Sequence, residues 1–220
     1  MQYVSRIFGS KRASDLLLWV LLALIAAATL FPIVWMVLTS FKPEVDVVTS
    51  PPRLWPREWS LEGYRSIWGR IPFLRYLLNS VIFTGGVTLT SLTLDTMTGY
   101  ALARLPFRGR NLLFLIVLVG LMLPFHVTLV PTYVMLFKFG WLNSFKALII
   151  PRATNAFGIF MMRQFFVTLP KELEEAARID GASEFRIFSQ IYLPLATPAL
   201  GTLFVFHFMY NWNDFLWPMI

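Results

Sequence analysis

No cysteine occurs in this 220-residue chain. Disulfides, thiolate zinc sites and cysteine nucleophiles are therefore all excluded. Histidine is scarce: His126 and His207 fall in different hydrophobic runs without carboxylates at ligand spacing. Neither a metal centre nor a protease-type constellation is expected from them. No GxxxxGK[ST] segment is present, since Gly85-Gly86 runs on into Val87-Thr88-Leu89. The chain thus lacks the loop that cradles nucleotide phosphates, and any ATP hydrolysis would have to come from a partner. Charge is thin as well, at 14% of residues, against about 25% in an ordinary soluble domain.

What fills the space is apolar. Hydrophobic residues make up 57% of the sequence and the mean hydropathy is +0.64. Several runs reach the roughly 20 residues that a helix needs to cross a hydrocarbon core of about 30 Å. The expected fold class is therefore an all-α integral membrane protein, a polytopic helical bundle. The formal net charge is +7, but the bases sit between and beside the apolar runs and form no stripe with interleaved aromatics. That placement suits anionic lipid headgroups and membrane orientation, not nucleic acid.

Five spans are expected within one transmembrane domain covering residues 1–220. The first covers about 16–38. Arg6, Lys11 and Arg12 precede it as in a secretory signal, and Ala26 with Ala28 offers small residues for cleavage. The apolar run nevertheless continues to Leu38, too long for a signal core, so it reads as an uncleaved span with Pro32 tolerated inside it. Residues 42–75 mix prolines with Trp55, Trp59, Tyr64 and Trp68, which suits a loop against the membrane surface with a short helix near Leu61 to Trp68. The second span, 76–103, holds one ionisable residue, Asp95. The third, 111–133, should kink or end near Pro124 and Pro131. The fourth, 147–168, is the least hydrophobic and contains Arg152, Asn155, Arg163 and Gln164. An arginine at the bilayer centre costs roughly 2.5–3.5 kcal/mol, so both arginines should lie near interfaces or face protein. The fifth span covers 195–218.

With the N-terminus inside, ten lysines and arginines fall inside and nine outside, making up the total of 19. The count alone gives no bias. The tight basic loop of Arg104, Arg108 and Arg110, together with the basic N-terminal tail, favours a cytoplasmic N-terminus. Residues 170–194 are then cytoplasmic too.

That segment is a polar island between hydrophobic runs. Pro170 followed by Glu172, Glu174 and Glu175 is a helix start, with Arg178 near the other end and Asp180-Gly181 as a stop. A second helix is expected over about 182–192, stopped by Pro194. On it Phe185, Phe188 and Tyr192 fall at i, i+3 and i+7 and share one face. Two short helices with a glycine hinge, acidic groups and an exposed aromatic edge suit a docking knob for a partner. The alternative is a solvated loop whose aromatics dip into the lipid interface.

Glu175-Ala-Ala-Arg-Ile-Asp180-Gly181-Ala182, with Phe188, Ile191 and Leu193-Pro194, closely resembles the EAA loop of permease subunits of bacterial ATP-binding-cassette importers. The resemblance extends over nearly the whole chain: FKPEVDV at 41–47, Asn79-Ser80, GYALARLPFRGRN at 99–111, Leu123-Pro124 with Pro131, RQFF at 163–166 and NWNDFLWP at 211–218 are similar to the carbohydrate branch, in particular its second maltose-type permease. It implies a multi-pass subunit of the bacterial inner membrane that is not itself an enzyme. It also implies an ATPase dimer that binds ATP and Mg, a second homologous permease and an extracytoplasmic solute-binding protein. Glu175, Ala176, Asp180, Gly181, Phe185 and Phe188 become the ATPase-docking positions. Glycerol-phosphate permeases share this branch, so the implied solute is a sugar or something sugar-like. Family members usually carry six spans, so a sixth is expected beyond a truncated C-terminus.

Polar groups inside spans are functional candidates. Asp95 either lines the solute pathway or bonds a neighbouring helix. Asn155, His207, Asn211 and Asn213 are candidates to meet a hydroxyl-rich solute, with Trp212 as a stacking face. The alternative is that NWND marks the outer interface. Thr88, Thr90, Thr93, Thr96 and Thr98 read as packing or backbone-bonding residues. Competing functions are an importer for amino acids or peptides, a secondary transporter using Asp95 or Asp214 as an ion site, and a structural scaffold without flux.

Overall fold

A computed structural model describes the backbone of residues 2–219 and the side chains of residues 14–219. The side chains of Arg6, Lys11 and Arg12, on which the basic-tail argument rests, lie outside the described residues. The chain divides into two compact units, residues 1–75 and 76–220.

In the first unit, α1 (Gln2–Ser40) is one continuous helix, with Pro32 inside it. Its Ser14–Ser40 stretch has a mean hydropathy of 2.6 and is long enough to cross a membrane. Beyond Ser40 the proline-rich segment folds back on the helix end. Ser60 N–H donates to Phe41 O at 2.8 Å, and the Tyr64 hydroxyl donates to Ser40 Oγ at 2.8 Å. The Phe41 ring lies 5.9 Å from Trp59 and 5.7 Å from Tyr64. Lys42 is buried, its ammonium 5.0 Å over the Trp35 ring and bonded to Arg53 O. A short α2 (Glu44–Val47) and the expected surface helix, α3 (Glu62–Arg70), complete this unit.

The helix α4 (Phe73–Arg104) starts at the end of the first unit and runs through the second, where the expected second span lies. Next come α5 (Arg110–Met122) and α6 (Phe125–Lys138), bent by 100° at Leu123-Pro124, where a kink was expected. The remaining helices are α7 (Phe145–Ile149), α8 (Ala156–Thr168), α9 (Glu172–Ile179), α10 (Glu184–Ile187), α11 (Leu193–Leu195) and α12 (Thr197–Trp212).

Three expectations need correction. Residues 147–168 are not one helix: α7 passes into a 3₁₀ turn at Ile150–Arg152, the chain unwinds, and α8 is only 13 residues long. Pro151 lacks an N–H for a regular helix, and Asn155 starts α8 afresh by accepting from Phe157 N–H at 2.8 Å. Secondly, Pro194 does not stop the second helix of the polar island. A π turn at Phe188–Tyr192 absorbs the proline and the helix continues through α11, then bends by 76° into α12. Thirdly, the last long helix ends at Trp212, short of residue 218. By length and composition, two helices among the described residues can cross a membrane, or up to four if each bent pair is one span.

The core of the second unit is layered. One apolar cluster holds Tyr100, Met162, Phe166, Ile187, Tyr192 and Leu203, and the other holds Phe83, Val87, Leu136, Ala147 and Trp217. Along α4 the order is Phe83 and Val87, then Ser91 and Asp95, then Tyr100. Along α12 and its extension it is Leu203, then His207 and Asn211, then Trp217. A polar layer therefore separates two apolar ones. Thr84, Thr88, Ser91, Asp95 and Gly99 recur every three or four residues and form one buried face of α4. Small residues there let backbones approach closely. A Cβ on Gly99 would lie 2.7 Å from Met162 Cβ and 2.9 Å from Arg163 N, and one on Gly158 would lie 2.1 Å from Asp95 Oδ2. Gly201 has nothing within 4 Å of such a Cβ. We expect Gly99→Ala to destabilise by about 1–3 kcal/mol through overpacking, against no comparable loss for Gly201→Ala. Thermal unfolding of the purified protein checks this, and equal midpoints for the two variants would contradict the close approach.

Candidate functional site

The polar island folds as a hairpin of short helices. Glu172, Glu174 and Glu175 occupy the first turn of α9, where acidic groups favour the positive end of the dipole. The helix stops in a Schellman turn: Ala182 N–H returns to Ala177 O at 2.9 Å and Gly181 N–H to Arg178 O at 3.1 Å, with Gly181 at φ +76°. Ser183 then caps α10 through Arg186 N–H. Arg178 straps the two helices, reaching Glu174 at 2.7 Å and Glu184 at 2.6 Å.

Glu175, Ala176, Asp180 and Gly181 are all exposed on this hairpin. So is Phe185, at 72%, and Ile179, at 87%, is more exposed still. Ile179 is not among the sequence candidates, although an aliphatic group four residues after Glu175 in a polar helix is a legible signal of an exposed apolar position. Phe188 departs from the expected exposed edge. It is half-buried, with its ring 4.9 Å from Tyr100, and Tyr192 is fully buried. The two lie four residues apart on the side of the hairpin that faces the core, so only Phe185 remains an exposed aromatic.

Arg104 and Tyr192 tie the hairpin to the helices. Arg104 is buried at the last turn of α4. Its Nε donates to Phe166 O at 3.0 Å, a carbonyl that also takes the Leu169 N–H at 3.3 Å, and its Nη2 donates to Leu169 O at the C-cap of α8. The guanidinium lies 5.0 Å over the Tyr192 ring, and the Tyr192 hydroxyl donates to Glu174 Oε2 at 3.2 Å. Burial, and then the Glu174 carboxylate, push the Tyr192 phenol up to about 12, with Arg104 opposing. The hydroxyl therefore stays protonated and remains a donor.

A second set of polar groups surrounds a cavity of about 290 Å³. Asp95 is fully buried beside it. It accepts from the Thr154 hydroxyl at 2.6 Å and Asn155 N–H at 2.9 Å, and meets His207 Nε2 at 3.1 Å. Arg152 pairs with Asp214 at 2.6 Å and donates to Asn211 Oδ1 at 3.0 Å, and its backbone carbonyl accepts from Ser91 at 2.8 Å. Arg163 also faces protein, stacked 3.7 Å over the Phe114 ring. Both arginines thus find the protein partners expected of intramembrane cations.

Among the sequence candidates, Asn155, His207 and Asn211 line the cavity, together with Arg152 and Thr154. Asp95 stands behind that wall, not on it. Asn213 is exposed, donates to Met209 O at 2.7 Å and is not among the lining residues. Trp212 is not among them either, and the aromatic faces come from Phe125, Tyr210 and Trp217. The unwinding at residues 150–155 brings Arg152 and Thr154 to the wall, and the Pro151 and Asn155 in IPRATN carried the signal for it.

The chain is similar to known proteins. The family described as the binding-protein-dependent transport system inner membrane component matches residues 95–220. The arabinooligosaccharides transport system permease protein AraQ of Halalkalibacterium halodurans is 35% identical over 216 residues, covering 96% of this chain and 77% of that protein. The sn-glycerol-3-phosphate transport system permease protein UgpE of Escherichia coli strain K12 is 38% identical over 200 residues, covering 88% of this chain and 71% of that protein. A chain from the crystal structure of a bacterial ABC transporter involved in the import of the acidic polysaccharide alginate is similar with a TM-score of 0.86 at 28% identity, covering 96% of this chain and 74% of that one. With more than half of its length matched and relatives above 30% identity across most of theirs, the chain belongs to the family of binding-protein-dependent transport system inner membrane components.

Proposed function

We propose that this chain is the membrane-spanning permease subunit of an ATP-driven, binding-protein-dependent importer for a carbohydrate or sugar-like solute. The observation that carries the reading is the α9–α10 hairpin: an exposed face of Glu175, Ala176, Ile179, Asp180 and Phe185 around a left-handed glycine, strapped internally by Arg178. The sugar permease relatives support the solute class. The hairpin lies on the cytoplasmic side, as does the N-terminus, and seats in a partner ATPase that binds ATP and Mg. A second homologous permease completes the pathway, and an extracytoplasmic binding protein delivers the solute. ATP hydrolysis takes place in the partner, because this chain has no phosphate-binding loop.

Movement of the docked hairpin reaches the helices through Arg104, which holds the end of α8 and stacks on Tyr192, itself bonded to α9. Opening the solute pathway to one side and then the other is the output. A secondary transporter would need a carboxylate free to take an ion. Asp95 accepts from three donors and Asp214 is ion-paired, which favours the ATP-driven reading.

Two outcomes test this. Gly181→Val places a β-branched residue at positive φ, a strain of roughly 1–2 kcal/mol. We expect it to abolish uptake while membrane insertion persists; normal uptake would remove the coupling role. In the same assay, Ile179→Asp should reduce co-purification of a nucleotide-binding partner, and a wild-type protein that brings down no such partner would favour the secondary transporter. Independently, Arg104→Lys keeps the charge but loses the two-carbonyl grip and the planar stack. It is expected to lower solute imported per ATP hydrolysed by about tenfold, the equivalent of about 1.4 kcal/mol. Tyr192→Phe removes one hydrogen bond and should have the smaller effect. An unchanged transport-to-hydrolysis ratio in both variants would show that the link does not transmit.

A further inference from the structure

The wall of the polar cavity presents three features that ordinarily attract anions, and this chain answers each with a carboxylate of its own. The first is Arg152, paired with Asp214 at 2.6 Å and boxed by rings, its guanidinium carbon 4.9 Å from Phe125, 5.5 Å from Tyr210 and 5.0 Å from Trp217. The second is His207, held against Asp95 at 3.1 Å. The third is the N-terminus of α8, a ready anion site by dipole and free N–H groups. There the Asn155 N–H is taken by Asp95 at 2.9 Å and the Phe157 N–H by Asn155 Oδ1 at 2.8 Å. No lysine and no other arginine lines the cavity. Arg152 Nη2 is buried without a hydrogen-bond partner, but the charge of the guanidinium is already balanced by Asp214, so a phosphate or carboxylate entering the cavity would find no unpaired charge and would lose its hydration.

What remains on the wall suits hydroxyls. The Thr128 and Thr132 hydroxyls donate to backbone carbonyls of their own helix, which leaves their oxygens able to accept. Asn155 uses its Oδ1 as a cap, which leaves its amide N–H groups to donate. Tyr210, 58% exposed, supplies an apolar face. The volume of about 290 Å³ sits at the low end of the roughly 300–1,000 Å³ of ligand pockets, enough for a single ring and not a long chain.

We infer that this cavity receives one uncharged, hydroxyl-rich sugar unit and discriminates against phosphorylated and uronate sugars. The inference rests on the carbohydrate-importer reading and sharpens it. It sets this chain beside the arabinooligosaccharide relative and apart from the glycerol-phosphate and alginate ones. Asp214 is the specificity-determining residue, because it keeps Arg152 from pairing with an incoming anion.

The test compares cells with and without this chain, both carrying the rest of the importer. They are given an equimolar mixture of arabinotriose, maltotriose, raffinose, sn-glycerol 3-phosphate and an alginate trisaccharide, and their contents are measured by mass spectrometry. Accumulation that depends on this chain is expected only for uncharged members. Asp214→Asn keeps an Oδ1 able to accept from Leu216 and Trp217 N–H, bonds of 3.0 and 3.2 Å, but releases the charge of Arg152. It should raise the ratio of anionic to uncharged uptake at least tenfold, with membrane abundance measured alongside. Accumulation of an anionic member by the wild type, or an unchanged ratio in an Asp214→Asn protein present at normal abundance, would overturn the inference and leave the importer reading in place. Accumulation of none of the five would remove the carbohydrate reading itself, and the inference with it.

Discussion

A carboxylate in the middle of a membrane helix has to be answered by donors, and the second unit is arranged around answering Asp95. It has no exposure and accepts from Thr154, Asn155 N–H and His207. Two of these donors belong to the unwound stretch before α8, which frees backbone groups that lipid would not tolerate. The penalties for a buried charge and for broken helical backbone are therefore met by the same hydrogen bonds. Gly158 is part of the arrangement, since any side chain there would occupy the place of the carboxylate. His207 brings in α12, so this one group joins α4, α8 and α12.

The α9–α10 hairpin poses a different problem, how a small polar element is fixed to the helices. Glu174 receives both the Tyr192 hydroxyl and Arg178, and Arg104 lies on the Tyr192 ring while holding the last carbonyls of α8. A buried arginine is tolerated there because its donors meet backbone carbonyls at the end of α8. The π turn that carries Tyr192 inward joins α10 to α11 without a flexible break, and bends of this sort recur at functional positions. The hairpin is thus joined to the helices by side-chain contacts as well as by the continuous backbone.

Beside Asp95, on the side away from the hairpin, the chain leaves a polar cavity in which Arg152 is paired with Asp214. Permeases with similar sequences are named for neutral and for anionic solutes alike. The fold is therefore compatible with both.

Composition and periodicity alone were enough to specify a helical membrane protein, because a hydrophobic run of given length has few alternatives in a bilayer. The helix, glycine, helix pattern of residues 170–194 was equally legible, since caps, dipole charges and a left-handed stop act between neighbours in sequence. So were the short helix at Glu62–Arg70 and the break at Pro124. Long-range matters were not. Whether Asp95 met solute or protein, whether Phe188 and Tyr192 faced out or in, and that Arg104 was a clamp and not merely a basic loop residue all depend on partners some 10 to 110 positions away. Residues 147–168 looked like one span because their mean hydropathy hides the local effect of Pro151 and Asn155. The sequence by itself determined the solvent, the elements and the helix–glycine–helix motif, each set by local chemistry. Tertiary structure decided which polar groups pair with one another and which line the cavity, because that depends on distance in space.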